Sequence, residues 1–350
     1  MTGRERELAA IRHEVADRIP VDVICIETVA EIAEHLGIEP ESVYDALGID
    51  GRIISAPYVG PPVTSADGAP LTVWGTPETG DYGTARWAPL AHAESVSEVE
   101  AHPRPSLDDF DFAAAHGVAC TWGDRYALRG PYWLPLFCRV CDLFGMEEAM
   151  VRMAHQPAVF EAALDVAADF TLGFCERLMD ACGDDLPILC LGDDFATQRG
   201  LMISPADWRR FLRPRYEPIF AAAKRRGKVV WFHSCGDITS VLGDLIDIGV
   251  DVWETVQLHC LPMSPERLKR EFGRHLTFFG GVNTQRLPFV SPPDVRREVL
   301  DCIRVLGEGG GYICGPDHHI KPDVPAANTM ALFGAATSCA YGAPRGPADP

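Results

Sequence analysis

No run of about 18 apolar residues, the length a membrane span needs, occurs in this 350-residue chain. The opening MTGRERELAAIRHEVADRIP carries charge throughout and has no apolar core of the kind a secretory leader uses, so export is not expected. Positive charge is in deficit. The 31 Lys and Arg against 50 Asp and Glu give a formal net charge of −19, which opposes nucleic acid and anionic membrane as main partners. A GxSxG nucleophile elbow is missing, and no internal repeat is present. Gly309-Gly310-Gly311 precedes an apolar run instead of joining a strand to a helix, so it lacks the context of a phosphate or dinucleotide loop. Basic residues are sparse near the expected strand ends, Arg129 and Arg199 excepted, which argues against a polyphosphate site. The twelve cysteines are scattered and carry no export context, so they read as reduced thiols of a cytoplasmic protein. Cys138-Arg-Val-Cys141 has no second pair and lies in an apolar stretch, where packing on a helix outweighs a zinc or redox role. What the chain does have is 47% hydrophobic content and a mean hydropathy near zero, enough for a substantial core.

Short apolar runs of strand length alternate with helical stretches, the signature of βα units and a parallel sheet. The expected strands are 21–26, 125–130, 188–192, 228–233, 250–256, 276–282 and 310–314, with an eighth still to be found. Ser204-Pro205, Asp237, Ser264-Pro265 and Ser291-Pro292 mark helix starts. A helix pair broken at Gln156-Pro157 precedes the 188–192 strand. The expected architecture is an α/β (β/α)₈ barrel in one domain, with residues 1–110 as an N-terminal elaboration and 111–350 as the main barrel. Residues 56–106 are rich in Pro, Gly and aromatics without periodicity, which predicts an insertion of loops and a hairpin near the barrel mouth.

In such barrels chemistry collects at the C-terminal strand ends, and polar side chains cluster there. Val229-Val230-Trp231-Phe232-His233-Ser234-Cys235 ends an apolar run in two metal-capable groups whose spacing puts them on one face of an extended chain. Imidazole and thiolate together suit Zn²⁺, which a catalytic site holds with three protein ligands and one open position. Asp193 and Asp194 follow the 188–192 run, with a helix cap as the competing role. Glu254 and Gln257 follow 250–253, with hydrogen bonding at the barrel rim as the alternative. Asn283 and Gln285 follow 276–281, and Cys314, Asp317, His318 and His319 follow 310–313. Either Cys314 or His318 is expected to complete the metal site, with Asp194 or Glu254 in or near the fourth position, and His319 is expected to be structural.

Together with DRIPVDV, LGDDFATQRGLMISPADWRRFLRPRYEPIF, WFHSCGDITSVLGDLIDIGVDVWETVQ and GGGYICGPDHHIKPDVPAANTMALF, these segments resemble the uroporphyrinogen decarboxylase superfamily, in particular its zinc-containing methyltransferase branch that works with methyl-corrinoid proteins. The resemblance implies a (β/α)₈ barrel and a zinc site with His233 and Cys235 as ligands. Aligned on Ile320, Pro322, Pro325 and Asn328, His318 stands opposite the family's late Cys and Cys314 four residues earlier, so a His₂Cys site is one of two outcomes. The decarboxylase branch resembles a different N-terminus, with an arginine-rich segment that holds substrate carboxylates where this chain has VDVICIETVAEI.

These features predict a zinc-dependent methyltransferase. It would move a methyl group between a small methylated substrate or thiol and a corrinoid (cobalamin) held by a partner protein or supplied as co-substrate. Asp194, Glu254 and His318 are the expected acid–base or orienting groups, and Trp74, Tyr82, Trp87 and Trp122 the expected walls of an apolar pocket. The alternatives are a metal-free decarboxylase and a non-catalytic subunit that binds a corrinoid protein. A monomer or homodimer is expected.

Overall fold

The computed structural model describes residues 1–77 and 87–340. Seven strands, β1 (Gly51–Ile53), β2 (Ala127–Tyr132), β3 (Ile188–Gly192), β4 (Val229–His233), β5 (Val252–Val256), β6 (Thr277–Val282) and β7 (Tyr312–Pro316), lie side by side in chain order. Every neighbouring pair is parallel. Residues 20–26 close the ring between β7 and β1. Cys314 N–H donates to the Pro20 carbonyl (2.9 Å), Asp22 N–H to the Cys314 carbonyl (3.1 Å), and Asp50 N–H to the Val21 carbonyl (2.9 Å). The result is a (β/α)₈-type barrel whose eighth position is an extended segment.

Two expectations are corrected here. Residues 21–26 make isolated bridges at Val21 and Ile26 instead of a regular strand, because Asp22 turns in to meet the guanidinium of Arg129. The unlocated strand is β1, only three residues long. Residues 20–53, expected within the elaboration, therefore supply two of the eight staves.

Alternation along the strands sorts the side chains. Trp231 and Phe279 meet inside the barrel at 5.3 Å between ring centroids, and Arg129 lies 4.8 Å over the Trp231 ring. The next residues along, Phe232 and Phe278, face the helices: Phe232 packs on Tyr216 and Phe220 of the Arg213–Arg225 helix, and Lys269 of the Pro265–Phe272 helix covers Phe278. The helix break falls where expected, between Met146–His155 and Pro157–Cys182, with Pro157 in the first turn, where its missing N–H costs nothing. Ser204 and Ser264 cap their helices by accepting from the N–H groups of Asp207 and Arg267. Cys138 and Cys141 are buried on the Phe137–Phe144 helix, and all twelve cysteines are free thiols. Among the described residues no helix is long and apolar enough to cross a membrane.

The 56–106 insertion contains antiparallel bridges at Thr64–Pro70 and Leu71–Pro77 and a helix, Val96–Ala101. Its Trp74 packs edge-on against Phe170 at 5.2 Å, and Arg152 donates to the Ala91 carbonyl at 2.9 Å. The described part of the insertion thus packs on helices of the barrel flank.

The N-terminal helix Gly3–Ile11 and the closing segment are joined through one carboxylate. Asp50 accepts from Arg6 Nη1 (2.5 Å), Arg18 Nη1 (2.9 Å) and Val21 N–H (3.0 Å). Removing it would leave the buried Arg6 with Asp17 as its one remaining carboxylate partner and would take the same acceptor from Arg18 and from the Val21 N–H. Asp50→Ala is expected to lower stability by about 3–5 kcal/mol, read as a fall in the urea midpoint with an unchanged m-value. A loss under about 1 kcal/mol would show that this network is not what ties the closing segment down.

Candidate metal centre

β4 and β5 are in register so that His233 stands directly beside Glu254, and adjacent strands lie about 4.8 Å apart. His233 Nδ1 lies 2.9 Å from Glu254 Oε1. The same oxygen accepts from the Tyr132 hydroxyl (3.0 Å), and Glu254 Oε2 accepts a short bond from the Trp231 indole N–H. Glu254 is fully buried. Burial alone would raise its carboxyl, but His233, Arg129 and Trp231 outweigh that and hold it below its ordinary value. Burial likewise opposes charge on His233, yet the Cys235 sulfur and Glu254 hold that imidazole well above its usual range. Nδ1 is therefore the ring nitrogen paired with the Glu254 carboxylate. Nε2 is left to face Cys235 Sγ at 3.6 Å and Asp194 Oδ1 at 3.7 Å.

Cys235 lies just past the end of β4, its N–H bonded to Asp194 Oδ1 (2.8 Å) and its sulfur 3.8 Å from Thr255 Oγ1. Gly236 follows at φ +82°, and a Cβ there would fall 2.5 Å from the Thr197 carbonyl oxygen, so only glycine lets this turn seat against the hairpin formed by Ala196–Thr197 and Gly200–Leu201. His318 comes from the loop after β7. Burial, with His233 and His319 alongside, pushes its imidazole down to about 4, which leaves a ring nitrogen free to act as a ligand at neutral pH. One donor atom each from His233, Cys235 and His318 lie within 4.8 Å of one another. Two ligands about 2.0–2.3 Å from a shared tetrahedral Zn²⁺ stand roughly 3.5 Å apart, close to the 3.6 Å between His233 Nε2 and Cys235 Sγ. The residues present fit a zinc ion.

Cys314 is corrected out of this group. It sits on β7 with the same facing as Tyr312, whose hydroxyl bonds the Gly280 carbonyl at 2.9 Å, and its electrostatic neighbours are Tyr312, Cys302 and Cys339. Gly315, on the other face, is the residue that meets Phe279 inside the barrel. Burial pushes the Cys314 thiol up to about 12, so it stays protonated and turned toward the helices.

Asp193 has the capping role. It accepts from the N–H groups of Leu136 (3.1 Å), Phe137 (2.7 Å) and Cys138 (2.9 Å) at the start of the Phe137–Phe144 helix, and from Tyr216 Oη (2.6 Å). Asp194 and Glu254 both reach the centre, Glu254 as the group that orients His233. Gln257 Oε1 accepts from Gly236 N–H (2.9 Å), the rim role weighed for it. Sequence reasoning missed Tyr132, Trp133 and Trp231. Tyr132 adopts φ +84°, a costly conformation for a non-glycine residue, in which its hydroxyl reaches Glu254. The Trp133 ring packs edge-on against His233 at 5.6 Å and lies so close to Gly192 that a Cβ there would clash at 2.6 Å. The only signal for Tyr132 and Trp133 was their position after an expected strand, and Trp231 lay inside one.

A cavity of about 430 Å³ opens beside the centre, lined by Cys235, Gln257, Thr284, Gln285, Phe289 and His318 among others. Among the described residues, none of the expected aromatic walls lines it. Trp74 is buried against Phe170, Trp87 is exposed, Trp122 ends the helix that leads into the opposite end of β2, and Tyr82 lies outside the described residues. No described residue of the insertion is among those that line this cavity.

Residues 137–339 match the family model described as uroporphyrinogen decarboxylase (URO-D). The methylcobamide:CoM methyltransferase MtaA of Methanosarcina barkeri (strain Fusaro / DSM 804) is 24% identical over 194 residues, 55% of this chain and 53% of that protein. A second MtaA from Methanosarcina barkeri matches to the same extent. The matched region thus spans about half the length of these curated relatives. A solved methyltransferase from Methanosarcina mazei superposes with a TM-score of 0.69 over 96% of this chain and 98% of that one at 19% identity, which establishes a shared fold.

Glu254→Gln keeps the shape but removes the charge that orients His233, and is expected to weaken Zn²⁺ binding about 10–100-fold. Cys314→Ala is expected to bind as tightly as the parent, both read by competition with a chromophoric chelator. Equal losses at the two positions would return Cys314 to the ligand set.

Proposed function

This chain belongs to the uroporphyrinogen decarboxylase (URO-D) family, and on that premise we propose that it is a zinc-dependent methyltransferase, moving a methyl group between a small methylated molecule or thiol and a corrinoid. The observation that carries this reading is the convergence of His233, Cys235 and His318 donor atoms at the strand ends, beside an open cavity. The relatives named for methylcobamide:CoM methyl transfer support it.

His233, Cys235 and His318 would hold the ion, which when bound supplies Lewis acidity that favours the anionic form of a thiol or another methyl-bearing heteroatom. Glu254 keeps the His233 Nδ1–H in place, so the ring presents Nε2 in one orientation. Tyr132 and Trp231 also donate to Glu254, which is fully buried behind His233, so this carboxylate serves to orient the ring. Asp194 is the better proton acceptor: its Oδ1 sits beside Cys235 N–H and His233 Nε2, and its side chain is partly open to solvent. Gln257, Thr284 and Gln285 offer polar contacts to a small substrate, and Pro288 and Phe289 an apolar wall. In the thiol direction, the substrate gives up its proton, its sulfur takes the methyl group, and the cobalt–carbon bond pair stays on cobalt. The corrinoid arrives on a partner protein or free in solution.

Elemental analysis of protein purified without added metal is expected to find about one zinc per chain, from this three-donor centre, and none in His233→Ala. Demethylation of methylcobalamin by an added thiol, followed by the change in its visible spectrum, should depend on enzyme and be abolished by a chelator. A metal-free protein whose activity ignores chelators and releases CO₂ from a carboxylated substrate would instead be a decarboxylase.

A further inference from the structure

The three donors are held in unequal ways. The His233 ring is fixed by Glu254 and Tyr132, and Cys235 by the bond from its N–H to Asp194. Among the described residues no side-chain hydrogen bond holds the His318 ring, which touches the rings of His319 (4.7 Å between centroids) and His233 (6.2 Å). What fixes its loop is the preceding residue. Asp317 is fully buried at the end of β7, and its N–H donates to the Val282 carbonyl of β6 at 2.8 Å. Its Oδ1 accepts from both the N–H (2.9 Å) and the hydroxyl (2.6 Å) of Thr284, on the loop after β6. Its Oδ2 has no hydrogen bond but faces His259 Nδ1 at 3.4 Å, on the loop after β5. One carboxylate thus ties together three successive strand-end loops, one residue before a ligand with no polar anchor of its own.

The geometry points to Asp317 as a positioning residue for the metal centre, acting through the backbone of its own loop to fix where His318 stands. This rests on the zinc reading above. A buried carboxylate is costly to withdraw from water, so its placement here, beside the one loosely held donor, needs a compensating role. Stapling the loops for stability alone would satisfy that need equally well, and the experiment must separate the two.

Zn²⁺ affinity, read by chelator competition, and the thermal midpoint should be measured for Asp317→Ala, Asp317→Asn and Thr284→Val, each in the parent and in a His318→Ala background. Asp317→Ala is expected to weaken Zn²⁺ binding about 10–100-fold, the usual effect of removing an outer partner of a metal site. Asp317→Asn retains an Oδ1 acceptor for Thr284 and should bind within a few-fold of the parent. In the His318→Ala background Asp317→Ala should weaken binding no further, because the ligand it positions is already gone, whereas two independent sites would add. If Asp317→Ala does not fold, Thr284→Val carries the test with a smaller loss that likewise vanishes in that background. Parent-like affinity in Asp317→Ala, or an equal loss in both backgrounds, overturns the positioning role. A parent protein that takes up no zinc overturns the metal centre itself, and this role with it.

Discussion

Everything at the centre depends on keeping one carboxylate ionised inside a barrel. Glu254 has no exposed surface, and withdrawing such a group from water costs several kcal/mol even after the protein relaxes. Hydrogen bonds from Tyr132 and Trp231 and the pairing with His233 offset part of this. The rest comes from below. Arg129, also fully buried, is held by Asp22 and the Val23 carbonyl and lies over the Trp231 ring, so that it acts on Glu254 through an apolar layer. Beneath them Glu7 of the N-terminal helix has a carboxyl raised well above its ordinary value by burial and by Asp22. Arg129 and His233 thus alternate with Asp22 and Glu254 along the interior, and His233 stands at its top.

Much of the barrel could be read from the chain. Strands buried on both faces appear as short apolar runs, and for that reason β3 to β7 were legible to within a few residues. β1 was not, because Gly51-Arg52-Ile53 is too short and too polar for any periodicity, and the closing segment looked like a strand because it is apolar. His233 and Cys235 were legible because they are neighbours in sequence. The pairing of His233 with Glu254 was not, since it depends on the register between β4 and β5, which no local pattern encodes. The choice between Cys314 and His318 turned on which face of β7 is inward. Both residues were visible, but the facing is set by the closing segment, where the Asp22 carbonyl oxygen approaches Gly315.

The donors also differ in what restrains them. His233 belongs to a strand, and its partners are strand residues, so its place is as firm as the sheet. Cys235 sits in a turn seated on the 196–201 hairpin, where Asp237 N–H reaches the Thr197 carbonyl at 3.0 Å and where glycine at 236 is required. His318 lies two residues past its strand. The cavity walls follow the same gradient, since Thr284, Gln285 and Phe289 are loop residues, with their loop pinned by Asn328 Nδ2 to the Leu287 and Val290 carbonyls. A rigid strand end can fix a donor atom while loops are free to differ in what they admit, so the cavity walls are where this chain has most freedom to depart from its curated relatives, with which it shares 24% identity over 194 residues.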